Sequence, residues 1–291
     1  MSKKPPSFIT YRLLAGRELR WLAALAGAVL LATAAYLLWL PDVSALKKRN
    51  PTETSYMRIK ERQAAAQGKR LPRRLVWTPW GGISGHLKHA VLVAEDGGFY
   101  RHNGVDWEST RRAAELVWEK KRFVRGGSTI TQQVARNLYL SPSKNPLRKV
   151  KEILIARRLE KELGKRRIFE IYLNIAEWGK GVWGAGAAAQ VYFGKNAAEL
   201  TPEEAAALAA ALPSPRRYNP TGGTRFMERR KSQIVARMRA SGYLPEESDD
   251  EFIEDSFEVI TSTEIPVSTP EEVLRSTLPA AGEPPAEAQP L

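Results

Sequence analysis

Cysteine is absent from the 291 residues, and histidine occurs only three times. The first absence excludes a disulfide framework and any thiolate-ligated metal. The second leaves little for imidazole metal sites or a histidine-activated nucleophile. His86 and His89 stand three residues apart, but no clear third ligand accompanies them, so a helix surface accounts for the pair better than a metal does. Strand signals are scarce: beyond the short stretch Leu75–Trp77 the chain shows little of the period-two alternation of a half-buried strand. Ser141-Pro142-Ser143-Lys144 has the form S-x-x-K, yet neither S-x-N nor K-T-G follows, which removes a serine acyl-transfer site of that type.

Charge is divided unevenly along the chain. From Leu244 onward 13 acidic residues face one basic residue, Arg275, while the remainder holds 44 basic and 19 acidic residues, a net of +25 within a total of +13. So basic a body is drawn to an anion: nucleic acid, an anionic membrane surface or a phosphorylated substrate. The acidic tail, with prolines and few aromatics, is expected to be disordered. An apolar share of 43% supports one good-sized domain with appendages.

There is one long hydrophobic run. Trp21 to Leu40 carries no charge, and Trp21, Tyr36 and Trp39 sit near its ends. About 20 residues at a 1.5 Å rise cross a hydrocarbon core of roughly 30 Å, with aromatics at the interfaces. A cleaved signal peptide is the rival; the run is longer than an ordinary signal core and continues through Tyr36–Leu40 past the small residues 32–35, which favours an uncleaved anchor. Lys3, Lys4, Arg12, Arg17 and Arg20 precede the run and Lys47, Lys48 and Arg49 follow it, so the N-terminus is expected inside and the body outside.

This divides the chain into a basic N-terminus (1–20), a transmembrane anchor (21–40), a polar juxtamembrane linker (41–72), a compact domain (73–243) and the acidic tail (244–291). The domain is expected to be mainly α, with helices near 86–95, 107–122, 129–138, 147–163, 166–177, 184–192, 202–212 and 225–241. Thr201-Pro202-Glu203-Glu204 is a capping box with proline in the first turn, and Pro213 follows the end of that helix.

Three stretches carry chemistry. Glu95-Asp96 stand where an apolar helix runs out into Gly97-Gly98, a boundary that can raise a carboxyl's pKa toward base duty, although a solvated helix end is the plainer account of a lone pair. Arg125-Gly126-Gly127-Ser128-Thr129 feeds a helix whose first turn can offer backbone N–H groups to an anion; Thr129 with Gln132 is also a simple capping box. No residue near Ser128 offers a base, so it is no nucleophile. Arg148-Lys149-Val150-Lys151-Glu152 allows either a surface Arg148–Glu152 salt bridge or a basic phosphate cluster, in which Glu152 binds a cation or orients a leaving group.

In order and content, E-D-G-G-F-Y-R-H-N-G (95–104), G-G-S-T-I-T-Q-Q (126–133), R-K-V-K-E (148–152) and R-I-F-E-I-Y-L-N (167–174) resemble the successive motifs of the peptidoglycan glycosyltransferase family. Residues 175–179 and 187–194 look most like its monofunctional members. The resemblance covers about residues 75–240 and implies a lysozyme-like helical domain polymerising lipid II in cell-wall synthesis. On it, Glu95 matches the general base and Glu152 the second essential carboxylate. Ser128, Gln133, Arg136, Lys144, Arg148 and Lys151 match donor-binding positions. Implied partners are lipid II, the nascent glycan chain, an anionic membrane surface and cell-wall assembly proteins, with no nucleic acid. No organic cofactor is implied; a divalent ion, magnesium or manganese, is left open. The implied location is the bacterial inner membrane, single-pass, with the domain outside the cytoplasm.

Three residues depart from the family pattern: Arg136 where lysine is common, Lys144 where arginine is common, and Gly186 where many relatives carry glutamate. Between the first two motifs, Trp107, Leu116, Val117, Trp118, Phe123 and Val124 mix with Arg111, Arg112, Lys120, Lys121, Arg122 and Arg125, which suits a helix in the headgroup layer or one packed on the body. A lytic glycosidase is the main rival enzyme; the basic cluster around Glu152 disfavours it, since cleaving a neutral glycosidic bond needs no pyrophosphate clamp.

Overall fold

The computed structural model describes residues 16–120, 127–143 and 145–244. Lys144, Arg125, the segment 121–124 and the acidic tail lie outside the described residues, as do the side chains of Leu116, Val117, Trp118 and Lys120. The expectation of a mainly α chain holds. In order come α1 (Gly16–Leu38), α2 (Ser55–Ala65), β1 (Arg74–Leu75), α3 (Gly85–Glu95), α4 (Trp107–Lys120), α5 (Ile130–Tyr139) and α6 (Pro146–Glu162). They are followed by α7 (Lys165–Ile175), β2 (Glu177–Gly179), β3 (Val182–Trp183), α8 (Ala185–Phe193), α9 (Pro202–Ala211) and α10 (Arg225–Ala240).

Local chemistry sets these boundaries. Thr129 and Thr201 each close a capping box, with Gln132 and Glu204 respectively, and Pro202 opens α9 without losing a needed N–H. Ser84 accepts the Leu87 N–H at the start of α3, and Asn145 accepts that of Leu147 at the start of α6. Within α1, Leu19–Leu38 is long and apolar enough to cross a membrane.

The core forms around α9, whose residues 205–211 are all buried. Alanine at six of these seven positions lets α3 and α10 approach it closely. On the other side α5 packs between α6 and α7, burying Val134, Ile155, Leu159, Ile168 and Phe169 completely. Each such side chain contributes on the order of 2 kcal/mol of transfer free energy.

Two parts differ from expectation. The linker contains α2, capped by Thr54 and packed on α5 through the buried Met57, and Val43 and Leu46 belong to the core. The seventh helix stops at Ile175 instead of 177, and the chain turns into a small sheet of order β1-β3-β2. There β3 runs parallel to β1 (Arg74 beside Val182) and antiparallel to β2 (Glu177 beside Trp183). Gly186 sits where an added Cβ would collide with Thr78 Oγ1, which gives the glycine a local packing reason. Of the two spaced histidines, His89 bonds the Tyr243 carbonyl through Nδ1 at 3.0 Å and stacks on that ring, and burial pushes its pKa down to about 4.

Candidate active site

Glu95 is the last residue of α3, where the apolar helix ends at the Gly97-Gly98 turn. Its Oε2 accepts a 2.9 Å hydrogen bond from Gln133 Nε2 on α5. Burial raises its pKa above the ordinary glutamate value, and the Gln133 bond and the charges of Arg230 and Arg136 only partly oppose that shift. The carboxylate neighbour takes another job. Asp96 is buried, lies 3.1 Å from His102 Nε2, and accepts the Ile130 N–H at 2.8 Å, so it ties the 95–104 segment to the start of α5.

That start of α5 is occupied internally. The Ile130 amide goes to Asp96, the Thr129 amide to Gln132 Oε1 and the Gln132 amide to Thr129 Oγ1. The capping account of this turn therefore holds, and these three amides are not available to an anion. Ser128 is reached by a side chain instead: Lys149 Nζ lies 3.2 Å from its Oγ.

Glu152 is fully buried on α6, so of the two accounts left open for it the salt bridge with Arg148 is present but is not a surface one. One oxygen meets Arg148 Nη1 at 2.5 Å and the other meets Lys149 Nζ at 2.5 Å. Both partners share its helix face, at i,i+4 and i,i+3. Lys149 also reaches Gln132 Oε1 at 3.3 Å. Lys149 is thus a site residue that the motif did not single out, although its i,i+3 spacing from Glu152 was legible. Lys151, the lysine that was singled out, points elsewhere: its ammonium donates to the Tyr36 carbonyl at the end of α1.

Two adjacent glutamines of α5 therefore join the two carboxylates. Gln133 holds Glu95, while Gln132 holds Lys149, which holds Glu152. Two pockets flank this line. One, about 180 Å³, is lined by Glu95, Gly97, Gly98, Asp106 and Ser128. The other, about 350 Å³, is lined by Gln133, Arg136, Arg148, Tyr56 and Glu177. Glu177 is a further buried carboxyl with its pKa raised by burial, held by Arg216 at 2.8 Å. Arg230 of α10, 135 residues from Glu95, was also missed; burial lowers its pKa, and its Nε is buried without a hydrogen-bond partner. Among the described residues no group of three or more histidines, aspartates or glutamates could hold a metal ion.

A family model described as "Transglycosylase" matches residues 61–239. The chain belongs to the transglycosylase family. Similar proteins include a biosynthetic peptidoglycan transglycosylase of Azoarcus sp. (strain BH72), 47% identical over 213 residues, which are 71% of this chain and 90% of that protein. One of Dechloromonas aromatica is 45% identical over 66% of this chain and 83% of its own length. One of Aromatoleum aromaticum is 49% identical over 61% and 77%. The transglycosylase match begins within α2, so only the last part of the helix found inside the expected linker lies in the matched region.

Proposed function

We propose that this transglycosylase is a membrane-anchored peptidoglycan glycosyltransferase that polymerises lipid II into β-1,4-linked glycan. The observation that carries the proposal is the pair of unlike carboxylates joined through Gln132 and Gln133 across two pockets. Glu95, half-buried and short of direct cationic partners, takes the proton from the acceptor sugar's 4-hydroxyl. The freed oxygen attacks the anomeric carbon of the growing chain from the face opposite the diphosphate. The bond to undecaprenyl pyrophosphate breaks with its electron pair, and an α link becomes β.

The leaving group already carries negative charge, so its departure calls for cations and no proton donor. Arg136 and Arg148 line the larger pocket, and Lys149 stands beside Ser128 at the smaller one. Both Glu152 oxygens are engaged by Arg148 and Lys149, an arrangement that supports a clamp built of protein cations over a divalent ion bound directly at Glu152. It also disfavours glycan hydrolysis by a carboxylate pair, because Glu152, with both oxygens engaged, is not free to serve as the second carboxyl.

The apolar helix α1 and the basic body support a single-pass protein of the bacterial inner membrane, with the catalytic domain outside the cytoplasm. Assembly partners of the cell wall are part of this proposal only as the class that such an enzyme would meet. The test is conversion of lipid II to long glycan by the purified full chain, before and after an EDTA wash. Release of soluble fragments from finished peptidoglycan, with no glycan made from lipid II, would overturn it.

A further inference from the structure

The last turn of α1 contains no basic residue, although the final carbonyls of a helix lack intrahelical partners and favour a cation. A cation arrives from far along the chain. Lys151 Nζ donates to the Tyr36 carbonyl at 2.6 Å and lies 3.9 Å from the centre of the Tyr36 ring. Tyr36 stands two residues before the end of the apolar helix, beside Leu38 and the 84% exposed Trp39.

Lys151 is not alone on its side of α6. Leu147 and Val150 precede it at helical spacing and remain 39% and 43% exposed, apolar side chains of the body at the level where the span ends. Beyond the span the chain is strapped down. Lys47 pairs with Glu162 at the far end of α6 at 2.8 Å, Val43 is buried, and Arg167 of α7 binds the Leu46 carbonyl at 2.8 Å and Asn50 at 2.7 Å. The anchor meets α6 near its start, at Lys151, and the segment just after the anchor meets its last residue, Glu162.

We infer that α6 works with two faces. Leu147, Val150 and Lys151 seat it on the end of the span and in the headgroup layer of the bilayer, while Arg148, Lys149 and Glu152 face the cleft. One residue along a helix turns about 100°, so Lys151 and Glu152, neighbours in sequence, serve the membrane and the clamp respectively. Lys151 is a positioning residue: by capping α1 it holds the clamp at the height where a lipid-linked diphosphate lies. The seating rests on α1 being the membrane span; its effect on turnover rests also on the proposed glycosyl transfer.

The chain has no native cysteine, so single cysteines can report depth in the full-length protein. A bimane probe on Val150→Cys is compared with one on Glu203→Cys, an exposed site on α9, in phosphatidylglycerol–phosphatidylethanolamine vesicles carrying headgroup spin labels. Quenching at 150 should exceed that at 203 by at least about twofold, should fall with Lys151→Ala, and should return with Lys151→Arg. Equal quenching at the two sites overturns the seating, and quenching at 150 that ignores Lys151 overturns the cap. These signals are read without substrate and so stand apart from the enzymatic proposal. With lipid II in vesicles, Lys151→Ala should cost about two- to fivefold in turnover, more than with a short-prenyl donor in detergent. Equal losses would make Lys151 a direct phosphate contact and overturn its positioning role.

Discussion

The two carboxylates of the cleft are the same residue type in opposite settings. Glu95 ends a helix, takes one amide donor from Gln133, and has its pKa raised by burial. Glu152 lies within a helix, is more completely buried, and has a cation on each oxygen. Burial without a direct counter-charge makes a carboxylate basic; burial between two cations makes it a strut. Transfer to a hydroxyl oxygen calls for the first kind, and holding a cationic clamp in shape calls for the second.

The largest expected effect separates them. Glu95→Gln should lower glycan synthesis by about 10²–10⁴-fold, the span of general-base catalysis. Stability should not suffer. A carboxyl whose folded pKa is raised favours folding most when protonated, and that contribution is lost as pH rises through the folded value. At neutral pH the glutamine variant should therefore melt at or above the parent temperature. Near-parental turnover would take the base role from Glu95.

Glu152→Gln should injure both properties. It leaves Arg148 and Lys149 facing each other without the anion between them, at a cost of about 2 kcal/mol. That figure is discounted from a fully buried pair because the Lys149 side chain is 40% exposed. Adding Lys149→Met should return part of the stability while turnover stays low, and calorimetry on the four members of that cycle measures the coupling. A Glu152→Gln variant as stable as the parent would erase the contrast between the two settings.

The same contrast explains what was legible beforehand. Neither carboxylate is decided by its local pattern, a helix end beside a glycine pair for Glu95 and basic residues at helical spacing for Glu152; the order of the family-like motifs singles both out. The eight domain helices were legible from apolar periodicity and caps such as Thr129 and Thr201. The helix α2 was not, since it buries Met57 alone among its polar residues and so shows little apolar face. The strands at 177–183, two or three residues each, are too short to show a period. The family resemblance puts Lys151 at a donor-binding position, whereas a helix brings i,i+3 neighbours such as Lys149 and Glu152 together and turns i,i+1 neighbours apart. Arg230 could not be found at all, because its nearness to Glu95 arises from the packing of α10 on α3.

A finer division concerns pH. A general base at Glu95 must be deprotonated to act, so on the proposed mechanism kcat/KM should rise with pH through a midpoint above the ordinary glutamate value of 4.5. A midpoint at or below 4.5 would mean that burial does not govern this carboxyl in solution.

The smallest effect tests that limb from the other side of the cleft. Arg230 is one of two guanidinium groups whose charge holds down the Glu95 pKa, and its own burial is unfavourable. Arg230→Met keeps the side chain's bulk, removes the cation and leaves no polar Nε without a partner. The acid limb should therefore move to higher pH, turnover at neutral pH should fall only a few-fold, and the melting temperature should hold. The sign is what matters: Glu95 balances burial against distant cations, so losing a cation must make it a stronger base. A limb that stays in place would mean that Arg230 is screened from Glu95. A limb that moves to lower pH would mean that a group other than Glu95 governs the profile.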